Sequence, residues 1–184
     1  TWRRSSRRRF STALLVACVG IVCDAFPQST VFNLTQDSAR DGWPRWSPDG
    51  SRIAFHSYQS GSNRYIYAMD ADGGNRVRIT SNELAENEPS WSPDGAKIAF
   101  RFSHDNNNWG VAVVDADGGN FISLTLPDSN NWQPDWSPDG SKIAVSSERT
   151  AANVDANVEI YVMDADGNNA TNLTQRQGTD LQPR

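Results

Sequence analysis

The sequence predicts an all-β fold: a β-propeller of four-stranded antiparallel blades, with about three complete blades forming an open arc or a fragment of a larger ring. Three observations carry this expectation. Trp46-Ser47-Pro48-Asp49-Gly50 returns as Trp91-Ser92-Pro93-Asp94-Gly95 and as Trp136-Ser137-Pro138-Asp139-Gly140, each time after 45 residues. Three further markers keep step with it. Ile53-Ala54-Phe55 recurs as Ile98-Ala99-Phe100 and Ile143-Ala144-Val145. Asp70-Ala71-Asp72-Gly73 recurs as Asp115-Ala116-Asp117-Gly118 and Asp164-Ala165-Asp166-Gly167. Ile79-Thr80 recurs as Leu124-Thr125 and Leu173-Thr174, with an earlier copy at Leu34-Thr35. Finally, the runs between these markers alternate with period two, and no segment sustains a 3.6 period. Four short strands in roughly 45 residues describe a propeller blade.

Residues 1–25 are expected to be an export leader. Arg3, Arg4, Arg7, Arg8 and Arg9 precede Phe10 and an apolar run from Ser11 to Cys23, which is short for a bilayer span. Three versions of the leader fit. Small residues near Ala25 suit ordinary signal peptidase, Ser6-Arg7-Arg8-Arg9-Phe10 resembles a twin-arginine signal, and Leu15-Val16-Ala17-Cys18 resembles a lipobox. No transmembrane span is expected once the leader is removed. Cys18 and Cys23 both fall inside it, so neither a disulfide framework nor a cysteine-ligated metal is expected in residues 26–184.

Charge narrows the partners. The chain carries 17 basic and 22 acidic residues; five and one of them lie in the first 25 positions, which leaves 12 and 21. An acidic body repels phosphate backbones, so nucleic acid is not an expected partner.

The propeller is expected over 26–184, with blades at about 43–80, 88–125 and 132–174 and partial strands at 31–35 and 180–184. The segment 31–35 matches the outermost strand of a blade and would lock a closed ring, leaving no exposed edge. At the other end, Gln182-Pro183-Arg184 parallels Gln133-Pro134-Asp135 and Trp43-Pro44-Arg45, the run-up to another Trp. Three blades are expected to form an open arc, or to assemble with copies of themselves.

Each marker has a physical reason. In Ser-Pro-Asp-Gly the proline presets φ and the glycine accepts the positive φ that ends a turn. Asp-Ala-Asp-Gly reads as a second hairpin. Strands such as Ile66–Met69 and Ile160–Met163 are apolar on both faces, as a sheet sandwiched between two others requires. The structural repeat thus comprises Trp46, Pro48, Asp49 and Gly50, with Trp91, Pro93, Asp94, Gly95, Trp136, Pro138, Asp139 and Gly140.

These units resemble the TolB-type β-propeller repeat, a relative of the WD-type repeat found in many bacterial exported proteins. The resemblance implies a periplasmic or extracellular location. TolB itself carries an α/β domain before its propeller; here the first Leu-Thr copy, at Leu34, follows the expected cleavage site at Ala25 closely, so no such domain is expected.

Strand order divides scaffold from function. The two near-identical turns fall at one end of every blade. The opposite end carries the variable loops 56–64, 101–109 and 146–157, and crossings with Trp43, Glu83, Glu86, Asn131 and Trp132. Variable loops on a repeated frame are where binding resides. The candidate partner-binding face is Trp43, His56, Tyr58, Phe102, His104, Trp109 and Trp132.

No catalytic, cofactor or metal site is expected. The Asp-Ala-Asp-Gly turns lack the sixth-position Gly and twelfth-position Glu of a calcium loop. His56 and His104 sit at different offsets from their Trp markers and are too few for a zinc site. No Gly-x-Ser-x-Gly elbow or Walker loop occurs. The expected role is a scaffold binding a protein partner in the envelope. Two alternatives stay open: the propeller portion of a prolyl-oligopeptidase-type peptidase or polysaccharide lyase, and a carbohydrate-binding surface protein.

Overall fold

The computed structural model describes residues 31–58, 63–104, 108–148, 158–174, 180, 181 and 183; the expected leader and the tips of the three variable loops lie outside them. Contacts divide the chain after Phe32, and the unit from Asn33 onward holds every described strand.

Three antiparallel four-stranded sheets follow one another, each in chain order. The first comprises β1 (Arg40–Trp46), β2 (Arg52–Tyr58), β3 (Tyr65–Asp70) and β4 (Val77–Arg78). The second comprises β5 (Glu86–Trp91), β6 (Lys97–Ser103), β7 (Trp109–Asp115) and β8 (Ile122–Ser123). The third comprises β9 (Asn130–Trp136), β10 (Lys142–Glu148), β11 (Val158–Asp164) and β12 (Thr171–Asn172). The arc is an unclosed β-propeller. The first strand of each sheet packs across the sheet before it, β5 on β1–β3 and β9 on β5–β7, so the first strands lie innermost.

Both faces of the middle strands of the first and second sheets are buried, as the doubly apolar runs require, whereas in the third sheet only Met163 of β11 is buried. Ala54, Ile66 and Ala68 of the first sheet meet Ile98, Phe100 and Val114 of the second. Ala99, Val111 and Val113 on its other face meet Ile143, Val145 and Met163 of the third. A third cluster, Ile53, Phe55, Tyr67 and Met69, covers the outer face of the first sheet and takes Leu34 against it.

The repeated serine explains the Ser-Pro-Asp-Gly turn more fully than the proline does. Ser47 Oγ accepts the Arg52 N–H at 2.9 Å and donates to Asp49 Oδ1 at 2.6 Å. That carboxylate accepts the Ser51 N–H at 3.0 Å. Ser92 and Ser137 repeat the pattern with Asp94 and Asp139. The Leu-Thr marker lies just past the two-residue fourth strands rather than within them. Its threonine hydroxyl accepts a backbone N–H from the third strand: Ile66 to Thr80 at 3.1 Å, Val111 to Thr125 at 2.9 Å, Ile160 to Thr174 at 3.0 Å.

Asp-Ala-Asp-Gly closes a wider turn than a two-residue hairpin. Asp70 N–H donates to Gly74 O, and both Gly73 and Asn75 have positive φ. The glycine is also a contact between blades. A Cβ on Gly118 would stand 2.6 Å from the carbonyl of Ile79 in the preceding sheet, and one on Gly167 would stand 2.9 Å from that of Leu124. Gly73 meets Leu34 O in the same way, at 2.8 Å. Leu34 therefore occupies the place of a preceding blade's Leu-Thr marker, although residues 31–35 form no strand. At the far end, Asp180 N–H donates to Val158 O at 2.7 Å, repeating the bond from Glu86 N–H to Arg64 O at 3.0 Å.

Candidate functional site

The inner strands share a feature that periodicity alone does not announce. Trp43, Glu88 and Gln133 each have φ between 52° and 54°, and each stands before a proline. The register of β1, β5 and β9 against its neighbour slips at these points. A bulge re-aims the side chains beside it. Here it turns all three residues to a cleft of about 290 Å³, lined also by Arg45, Asp135 and Pro183. The aligned prolines 44, 89, 134 and 183 were the only sequence signal for this cleft.

Arg101, on β6, links the cleft to the variable end. Its guanidinium lies 3.9 Å from the Trp109 ring centroid and 5.8 Å from that of Trp132, and it pairs with Glu88 at 3.2 Å. The second Glu88 oxygen accepts the Gln133 N–H at 2.7 Å, joining the second sheet to the third. Burial pushes the Arg101 pKa below its ordinary value, and the Glu88 charge opposes that shift. Arg64 reaches over from the first sheet, 5.4 Å from Trp109 and 5.7 Å from Tyr58. Tyr58 has Arg40 on it as well, also at 5.7 Å. Arginine over an aromatic face gains electrostatic attraction without surrendering all of its hydration. Variable-loop position in the sequence pointed to the aromatic residues of this cluster and not to the three arginines that hold them.

The candidate face is therefore partly an exposed surface and partly its support. Trp43 is 40 % exposed, and Tyr58, Trp109 and Trp132 are half-buried. Phe102 is buried in the core between the first and second sheets, so it holds the face up from beneath. His56 is likewise a strand residue, buried against Gly42, where a Cβ would come within 3.0 Å of its ring. Burial, with the Arg64 charge behind it, lowers its pKa to about 4 and keeps the imidazole neutral at pH 7. His104 is half-buried, edge-on to Phe102 at 4.5 Å between ring centroids. It stands over Gly110, where a Cβ would lie 2.4 Å from its Nε2.

Glu86 is the most confined charged group. It is fully buried; its carboxylate accepts the Ile66 N–H at 3.2 Å and the Thr80 hydroxyl. Burial raises its pKa to about 7 against the pull of those bonds. It ties the inner strand of the second sheet to the end of the first. Asn131, also fully buried, holds the corresponding place in the third sheet.

The paired aspartates of the second turn are engaged internally. Asn75 Nδ2 donates to Asp70 Oδ2 at 2.6 Å, and Asp72 Oδ1 accepts the Gly74 N–H at 2.8 Å. Lys97 and Asn120 hold Asp115, and Lys142 and Asn169 hold Asp164. Among the described residues, no three His, Cys, Asp or Glu side chains gather in a way that would hold a metal ion. Nor is any helix among them long and apolar enough to cross a membrane.

An arc of four-stranded sheets, each joined to the next by its innermost strand, defines a β-propeller protein. The TolB beta propeller domain model matches residues 27–154, and the chain belongs to that family. A solved structure assigned as TolB from Agrobacterium tumefaciens is similar, with 30% identity and a TM-score of 0.66 over 76% of this chain and 50% of that one. TolB from Acinetobacter baumannii follows with 26% identity and a TM-score of 0.64, over 77% of this chain and 34% of that one. The chain thus spans half of the first relative and about a third of the second. Oligogalacturonate lyase from Vibrio parahaemolyticus shares the fold, at 20% identity and a TM-score of 0.56 over 76% of this chain and 38% of that one. No curated protein matches the sequence.

Proposed function

We propose that the chain is an exported, non-catalytic scaffold that binds a protein partner in the periplasm or cell envelope through the end bearing its variable loops. The observation that carries this reading is the cluster of Arg64, Trp109, Arg101 and Trp132 at that end, with Tyr58 beside it, and with Trp43 in the cleft that Glu88, the partner of Arg101, also lines. Trp, Tyr and Arg are the residues that dominate binding energy in protein interfaces, and here they are fixed on a rigid frame. The acidic balance of residues 26–184 and the membership of the TolB propeller family support the same reading. The carbohydrate alternative draws less support, because two guanidiniums lie against the Trp109 ring that a sugar would stack on.

The test is capture of partners from envelope extract on the full chain. A protein retained by the wild type and by Asp117→Asn, at the opposite end, but lost with Trp132→Ala and Tyr58→Ala supports the reading. Recovery of nothing above bare resin overturns it. A glycan array run beside it decides the alternative: binding that disappears with Trp109→Ala would replace the protein-partner reading.

A further inference from the structure

Between the second and third sheets, at the end that carries the repeated turns, lies a cleft of about 610 Å³. Val113, Ile122, Leu124 and Trp136 form apolar walls. Asp94, Asp139 and Asp166, all exposed, line it as well, with the half-buried Lys97, whose ammonium is paired with Asp115. The same place between the first and second sheets is filled by the chain itself. There Arg52 donates from Nη1 to the Ala116 carbonyl at 3.4 Å, and its guanidinium carbon lies 5.7 Å from the Trp91 ring centroid.

Moving on by one repeat turns Arg52 into Lys97, Trp91 into Trp136 and Ala116 into Ala165. The acceptor, the indole and the apolar walls are retained; the guanidinium is not. Lysine has a single ammonium where arginine has a fork, and Lys97 turns it to Asp115 of its own sheet at 2.5 Å. The repeat has kept an arginine slot and removed the arginine.

We propose that this cleft takes an arginine side chain from a partner polypeptide, in the manner in which Arg52 fills the junction before it. The stem would lie on Val113 and Leu124, the guanidinium against Trp136 and within reach of the Ala165 carbonyl. The three carboxylates supply the charge complement. Hydroxyls of Ser92 and Ser137 hold Asp94 and Asp139 ionised, below the usual carboxylate range. An aliphatic side chain would gain nothing from those carboxylates, and a lysine would lose the planar stack and the fork. This site lies at the opposite end from the variable loops and does not rest on the reading given for them.

The probe is the blocked peptide acetyl-Gly-Arg-Gly-amide, with its Lys counterpart as control, titrated into the full chain. The Trp136 indole N–H resonance and calorimetry are the readouts. Saturable binding that moves this resonance, at least tenfold tighter for the Arg peptide, is expected. Lys97→Arg should abolish it by restoring the internal occupant, and Ile122→Trp should block the mouth independently. Arg52→Lys should raise the stoichiometry from one to two. Equal affinity for both peptides, an unmoved Trp136 signal, or undiminished binding to both blocking variants would overturn the proposal.

Discussion

The indole N–H of Trp136 donates to the carbonyl of Ser90 at 3.2 Å, and Trp91 donates to Arg45 in the same way and at the same distance. The repeat's most visible residue is thus a clasp between blades. It reaches 46 positions back, to the inner strand of the sheet before it. Trp46 begins the series and is 59 % exposed, whereas Trp91 is 8 % exposed. Trp91→Phe and Trp136→Phe keep most of the ring and leave a carbonyl unanswered. Each should cost about 1–2 kcal/mol in urea unfolding. Trp46→Phe should cost less than about 0.5 kcal/mol, the level of an ordinary surface change. Equal losses at the three positions would contradict the clasp.

The turn glycines should separate into two classes. Gly50 has φ +70° with nothing within 4 Å of a Cβ, so Gly50→Ala suffers only backbone strain, about 1 kcal/mol. Gly118 has φ +96° and the Ile79 carbonyl in the way. Gly118→Ala must also push neighbouring sheets away from each other, and about 2–4 kcal/mol is expected. Thermal unfolding of the two variants side by side checks the order.

Removal of the marker hydroxyl should be felt on the strand rather than at the surface. Thr125→Val keeps the shape and leaves the Val111 N–H without its acceptor in a buried position. A loss of about 1–3 kcal/mol is expected, together with faster amide exchange at Val111. Unchanged exchange there would mean that the hydroxyl is incidental.

Two buried groups should give opposed pH dependences. Glu86 has its pKa raised from 4.5 to about 7, so between those values the folded state binds the extra proton and stability falls as pH rises. His56 has its pKa lowered from 6.5 to about 4, so the unfolded state binds the extra proton and stability rises with pH through that window. Each effect is of order 3 kcal/mol at about 1.4 kcal/mol per unit. Between pH 4.5 and 6.5 they cancel, and the wild type should be nearly flat. Glu86→Gln should then grow more stable from about pH 4 to 6.5, and His56→Gln less stable from pH 4.5 to about 7. Parallel curves for the two variants would show that neither group titrates as its burial dictates.

The repeat arithmetic was enough for the sheets, their order and their unclosed arc. Turn chemistry and period-two alternation are local properties, and a 45-residue spacing carries them from unit to unit. The same arithmetic led to an expectation of partial strands at 31–35 and 180–184; residues 31–35 form no strand, and Leu34 and Asp180 make contacts that repeat those of Ile79 and Glu86. What stayed hidden was set by how strands pair within each sheet. The positive φ at Trp43, Glu88 and Gln133 belongs to three different residue types and is dictated by register. Phe102 and His56 looked like loop residues because strand length could not be read from alternation alone; pairing with Gly110 and Gly42 draws them into strands.

The amino-acid order alone determined that identical units would fold as twisted sheets, hydrophobic on both sides, and would have to stack. Only the tertiary structure decided which side chain from one unit fills the space left by the next. Arg52 fills its junction and Lys97 does not, although both stand at the same point of the repeat. The reason is physical: a turn depends on a few adjacent residues, whereas a guanidinium's choice of partner depends on charges and volumes brought together from more than 60 positions away.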